Sequence, residues 1–210
     1  MPAFAQCRGV WVGVALLLWA PSALSEEGPS PAWPCVQAKV PELTAAVMWA
    51  GPEIDETDRG WQESAEIAPL AYHLAQRRLP IQEAQGEIDA FAQEIEGDRN
   101  AHLAQLFTAL LQIVNAERKK IMAGIERYAR QQSVLADQIT AVDEEIAEAR
   151  TAAAGDEDER QRLAQLEQQL AWETRIFAER EQSLTYVCES PVLLEQRLFA
   201  LARQIMANLE

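Results

Sequence analysis

Beyond residue 107 the apolar and small positions recur every three or four residues. They run Phe107, Leu110, Val114, polar Glu117, Ile121, Ile125, Tyr128, Gln132, Leu135, Ile139, Val142, Ile146 and Ala149. The steps alternate between three and four except for two consecutive fours around Ile121, a local stutter in a heptad repeat. A helix of that extent spans about 60 Å or more at 1.5 Å per residue, too long to sit inside a small globular core. A second series comes later at heptad spacing: Leu163, Leu166, Leu170, Glu173, Phe177, Arg180, Leu184 and Val187. Between them "AAAGDEDER" carries Gly155 to end one helix and Asp156 or Asp158 to cap the next. Two heptad helices joined by so few residues predict an antiparallel helical hairpin with a coiled-coil seam. Its polar members, Glu117, Gln132, Glu173 and Arg180, read as positions that fix register, or as a misassigned phase, rather than as a buried ionic site.

The rest of the chain divides by its punctuation. Residues 26–60 hold Pro29, Pro31, Pro34, Pro41, Gly51, Pro52 and Gly60, which predicts an irregular strap with at most one short helix over 42–49. Pro69 is expected to kink or restart a helix in "WQESAEIAPLAYHLAQRRL", and Pro80 to end it and open the next over about 81–96. In that next helix Ile88, Phe91, Ala92 and Ile95 share a face, and Asp98 or Asn100 caps the long helix beyond it. Pro191 is expected to start a last helix, whose Leu194, Leu198, Leu201 and Ile205 need the apolar face of residues 103–114 as partner. The expected fold is all-α, with residues 121–190 as the hairpin and residues 61–120 with 191–210 as a helical bundle at its base.

Compartment changes how the cysteines read. Residues 1–25 have one basic residue, Arg8, then the apolar run "VWVGVALLLWA", then Pro21 and the small-x-small site Ala23, Leu24, Ser25. That layout is a secretory signal, and the run falls short of the about 20 residues a membrane span needs. Cleavage after Ser25 removes Arg8 as its only charge, leaving 185 residues and moving the formal net charge from −15 to −16. The expected product is periplasmic or secreted, without stable membrane insertion. So acidic a chain is a poor partner for nucleic acid or anionic membranes, which select Lys and Arg. Cys35 and Cys188 survive cleavage, and an even pair in an oxidising compartment predicts one disulfide. That bond would pin the strap where hairpin meets base, with Trp33 and Trp49 packed on the base.

"WPCVQAKVPEL" followed by "MWAGP" resembles an N-terminal signature of small exported helical proteins of bacteria. The likeness covers about twenty residues and implies export and a helical fold, but no activity and no site residue.

Candidate chemistry is sparse. The carboxylates fall on solvated helix faces such as "DEEIAEAR", and the tip "GDEDER" lacks the ligand spacing of a calcium loop. His73 and His102, the two histidines, are separated by an expected helix break. The chain shows no G-x-S-x-G, no glycine-rich phosphate loop and no C-x-x-C. It therefore reads as a non-enzyme needing no cofactor or metal. The leading expectation is an interaction or scaffold protein that offers its hairpin, through the seam of Leu135, Ile139, Val142, Ile146, Leu163, Leu166, Leu170 and Phe177, to another exported or envelope-associated protein. Two other classes are a periplasmic chaperone and a small-ligand module with a pocket among Trp33, Trp49 and Trp61. A homodimer is a further expectation.

Overall fold

The structure is a computed structural model and describes residues 33–153 and 156–210. The export signal expected over 1–25 lies outside the described residues. The fold is all-α. Two long helices, α4 (Arg99–Ala152) and α5 (Glu157–Ala207), pack antiparallel, and the shorter α1 (Ala45–Met48), α2 (Ile67–Leu74) and α3 (Ile81–Glu94) gather at one end. At 1.5 Å per residue the long helices reach roughly 80 Å, and their outer part projects from the base as a two-helix stalk. Among the described residues no helix is long and apolar enough to cross a membrane.

Local chemistry sets the boundaries. Ser64 Oγ accepts the Ile67 N–H at 3.1 Å, and Pro69 falls in the first turn of α2, where its missing N–H costs nothing. The helix restarts two residues before Pro69 and ends at Leu74, short of Pro80. The reason for the early end is Arg197 of α5, whose guanidinium donates to Leu74 O at 2.7 and 3.0 Å and to Leu79 O at 2.8 Å. These bonds satisfy carbonyls that a continuing helix would have used. Asp98 caps α4 by accepting the Ala101 N–H at 3.0 Å, after Gly97 turns the chain at φ 98°, a region that favours glycine.

The base core joins α2, α3, the first turns of α4 and the last turns of α5. Leu74, Ile88, Leu103, Phe107, Leu110, Leu198, Leu201 and Ile205 are all sealed from solvent within it. Each such side chain contributes about 1.5–3 kcal/mol by burial, so the base is the stability centre of the molecule.

Two expectations about the long helices need correction. Pro191 does not start a helix but sits inside α5. It is itself buried, one turn beyond a cystine that clamps the helix, so packing holds the chain helical where proline alone would break it. The seam also shifts phase beside the base. Arg118 and Ala129 are buried where Glu117 and Tyr128 were expected, with Glu117 exposed and Tyr128 half-buried, and Cys188 is buried where Val187 was expected. At Arg118 and Cys188 the strap accounts for the shift, because Val40 lies on the first and Cys35 is bonded to the second.

Candidate interaction surface: strap, basal groove and stalk

The strap is held to α4 by two amide side chains. Asn115 acts as a short strand edge: its Oδ1 accepts the Leu43 N–H at 2.9 Å and its Nδ2 donates to Leu43 O at 2.8 Å. One turn earlier, Gln112 Nε2 donates to Glu56 O at 2.8 Å and Asp58 O at 2.7 Å, and its Oε1 accepts the Trp61 indole N–H at 2.9 Å. An irregular segment cannot satisfy its own backbone, so these amides stand in for a ladder. Lys39 adds an ion pair with Glu126.

Trp49 stacks on Phe107 with ring centroids 4.4 Å apart and 6° between planes, and donates its indole N–H to Pro52 O at 2.7 Å. Gly51 makes room for it: a Cβ there would lie 2.5 Å from the indole and 2.8 Å from Leu209. The "MWAGP" stretch is thus a packing device. Cys35 and Cys188 form a disulfide, buried with Ile125 and flanked by Trp33, Ile121 and Leu184. It joins residues 153 apart at the junction of base and stalk.

Between the strap and the α2–α3 turn lies an open groove of about 1160 Å³. Trp61 and Tyr72 line it, whereas Trp33 and Trp49 do not, because Trp49 is stacked away on Phe107. The pocket expected among three tryptophans is therefore a groove with one of them. Its distinctive feature is charge: Arg59, Arg77, Arg78, Lys119 and Lys120 line it against Glu42, Glu56 and Glu117. A chain of net charge −15 thus gathers five of its 18 Lys and Arg residues around one concavity. Arg59, Arg77 and Lys119 are exposed and form no ion pair among the described residues.

The stalk seam is asymmetric. Leu135, Val142 and Ile146 of α4 are buried and Ile139 is half-buried, while Leu163, Leu166, Leu170 and Phe177 of α5 are all half-buried. Gln132 Nε2 donates to Phe177 O at 3.1 Å and Tyr128 OH to Arg180 O at 3.1 Å, fixing the register of the arms. At the tip Asp156 caps α5 through the Asp158 N–H at 2.9 Å, and Arg150 pairs with Glu167 at 3.0 Å. On the outward face of α5, Trp172 and Tyr186 are 61% and 75% exposed.

The histidines stay apart from one another. His73 Nε2 lies 3.1 Å from Glu87 Oε1 on the surface between α2 and α3, and His102 Nδ1 lies 2.8 Å from Asp98 O at the start of α4. Among the described residues no group of three or more His, Cys, Asp or Glu is placed to hold a metal ion. The anchoring amides Gln112 and Asn115 went unseen in the sequence, where they read as ordinary polar positions on α4. Comparison with known protein families, with curated proteins and with solved structures finds no match.

Proposed function

We propose that this chain is a non-catalytic interaction or scaffold protein of the periplasm or extracellular space, and that its helical stalk is the surface it presents. The observation that carries this reading is the stalk itself. The base core ends near Ile121 of α4 and Leu194 of α5, yet α4 continues for about nine turns beyond it and α5 for about ten, paired with each other. That length adds little to the core and much to the surface. Large aromatic side chains left in solvent on its outward face are the composition of a binding surface. The disulfide belongs to an oxidising compartment, in keeping with export and with the resemblance of the strap to a signature of exported bacterial proteins.

The test places a photo-crosslinking residue at Val134, Gln165 or Arg175 on the stalk, or at Gln93 on α3 as control, in the native exported fraction. Stoichiometric crosslinking to one other protein from the stalk positions, and not from Gln93, is the expected result. Crosslinks from Gln93 alone, or from no position, overturn the reading.

The basal groove favours a second reading, a module for a small anionic ligand, because its cations converge on a concavity with an apolar floor. A melting shift with polycarboxylates or phosphates, lost in Lys119→Glu with Lys120→Glu, would move the assignment there.

A further inference from the structure

The basal groove has two fixed walls and a helical floor. Gln112, Asn115, Ala116 and Lys119 succeed one another along the floor, and Lys119 follows Gln112 by seven residues, close to two turns on one face of α4. On one side the strap is tied to that floor through Gln112 and Asn115. On the other, the α2–α3 turn is tied to α5 through Arg197, which holds Leu74 O and Leu79 O on either side of Arg77 and Arg78. Both walls are therefore in place before any ligand arrives, which removes an ordering cost from binding.

The cations are anchored along this concavity rather than at one point. Arg59 follows Asp58, whose carbonyl Gln112 binds, and Lys119 lies about 10 Å further along the floor at 1.5 Å per residue. Arg77 and Arg78 come from the α2–α3 turn. Of the groove carboxylates Glu42, Glu56 and Glu117, the last two are already engaged: Glu56 accepts the Ala45 N–H at 2.8 Å and Glu117 pairs with Lys120 at 3.6 Å. Arg59, Arg77 and Lys119 keep no counter-ion among the described residues. Tyr72, 56% exposed, stands beside buried Trp61 with ring centroids 5.8 Å apart. Arginine and tyrosine around a concave floor are the composition of a protein interface at its core. At about 1160 Å³ the groove also exceeds the usual small-ligand range of about 300–1,000 Å³.

We propose that the basal groove binds an extended acidic peptide segment of a partner protein, laid along α4 with carboxylates against Arg59 at one end, Lys119 at the other, and Arg77 and Arg78 beside it. The inference rests on reading the chain as an interaction protein and adds a second contact, at the base, with the chemistry its partner carries there. Charge complementarity selects that occupant, because clusters of Arg and Lys recognise acidic motifs through charge-assisted hydrogen bonds. An extended segment meets cations anchored about 10 Å apart with about three residues of chain at about 3.3 Å each. The protein's own charge bounds the length of the segment. Five cations and three carboxylates line the groove of a chain of net charge −15, so the surface outside it is more negative than the whole. At a screening length of about 8 Å a short segment seated in the groove feels its cations, whereas a long polyanion running past it meets repulsion.

Fluorescence anisotropy on the whole chain with its disulfide intact tests the proposal, using a labelled peptide of about ten residues that alternates Glu and Ala and so spans the groove when extended. The peptide is expected to bind at least about tenfold more tightly than its Gln-for-Glu twin. Arg59→Glu and Lys119→Glu, at the two ends, should each weaken it about tenfold, while Arg130→Glu, an exposed cation on the stalk, changes it by less than about twofold. All three positions are exposed, so the fold is not at risk, and circular dichroism checks it. Equal binding of the Gln twin, or equal weakening by Arg130→Glu, would overturn recognition of charge in the groove. Sensitivity to one end variant alone would overturn the extended pose. Citrate or inorganic phosphate binding as tightly as the peptide would assign the groove to a small anion, and polygalacturonate binding more tightly would assign it to an anionic glycan; either overturns the proposal. If the peptide does not bind while the stalk photo-crosslinks find another protein, the reading of the stalk stands and this inference falls. If the peptide binds and the stalk positions find none, this inference stands and the interaction moves from stalk to groove.

Discussion

At the scale of single residues, Arg118 is the buried charged side chain among the described residues. It is 3% exposed, donates to Val40 O at 3.3 Å, faces Glu195 at 3.8 Å, and its Nε and Nη1 have no partner. Burial pushes its pKa below the usual arginine value, and the Glu195 carboxylate opposes that shift. A buried cation so poorly paired adds little stability, so Arg118→Met is expected to leave stability unchanged or raise it by about 1 kcal/mol. Glu195→Gln, which leaves the cation in place, is expected to lower it by about 0.5–1 kcal/mol, limited by the exposure of Glu195. Urea titration of both variants measures the difference, and a loss of more than about 2 kcal/mol in Arg118→Met would show the guanidinium to be a structural anchor. Asp55 makes a pH prediction. The Thr57 hydroxyl at 2.6 Å, followed by the Thr57 N–H, holds its carboxyl below the usual aspartate value. A pKa depressed in the folded state means the turn's contribution is complete above about pH 4, the unfolded value, and is lost as pH falls through the lower folded value. An NMR titration should therefore place the Asp55 midpoint below that of a model peptide, with no change between about pH 5 and 8.

At the scale of elements, the strap depends on borrowed backbone partners rather than on a core of its own. Asn115→Ala removes both hydrogen bonds to Leu43 and leaves a half-buried N–H and C=O unmatched, so a loss of about 1–3 kcal/mol is expected. Hydrogen exchange checks it locally: the Leu43 amide should lose protection while amides at Leu103 and Leu198 keep theirs. Uniform loss would mean that strap and base unfold as one unit. The helices, their order and their antiparallel pairing were legible in the heptad spacing, because apolar periodicity is written directly in residue types. The strap's covalent attachment was legible in the pair Cys35 and Cys188, but its hydrogen-bonded attachment was not, because a glutamine and an asparagine on a helix carry no mark of facing a neighbouring segment instead of water. The same blindness explains the phase error at Glu117 and Arg118: periodicity reports which side of a helix is apolar, while here a cation is buried because the strap crosses over it. Pro191 misled for a related reason, since the rule that proline opens a helix does not see the cystine and packing that carry α5 through it. In the candidate surface, Trp172 stands outside the heptad positions of α5, and neither its exposure nor the gathering of cations at the groove was read from the sequence, because both depend on what packs beside them.

At the scale of the whole molecule, the Cys35–Cys188 disulfide is the covalent cross-link between the irregular strap and the helical body among the described residues, and it sits where base becomes stalk. A loop of 153 residues restricts the unfolded chain enough to stabilise the folded state by about 5 kcal/mol on chain-entropy grounds, and losses of about 2–5 kcal/mol accompany removal of such bonds from small exported domains. Cys35→Ser with Cys188→Ser should thus lower stability by that range while leaving the helix content nearly unchanged, since α4 and α5 are zipped by their own seam. The consequence that separates this bond from a generic staple is spatial. Without it, the strap remains tied by Asn115 and Gln112 beside the groove but is loosened around Trp33 and Ile125, at the root of the stalk. Hydrogen exchange should then rise near Ile121, Ile125 and Leu184 and hold at the base core, so that the stalk pivots on a weakened root. Equal loosening of base and stalk would show the disulfide acting on global stability alone. A root that softens while the base holds would make the cystine the element that fixes the stalk's direction, which any binding surface on α5 requires.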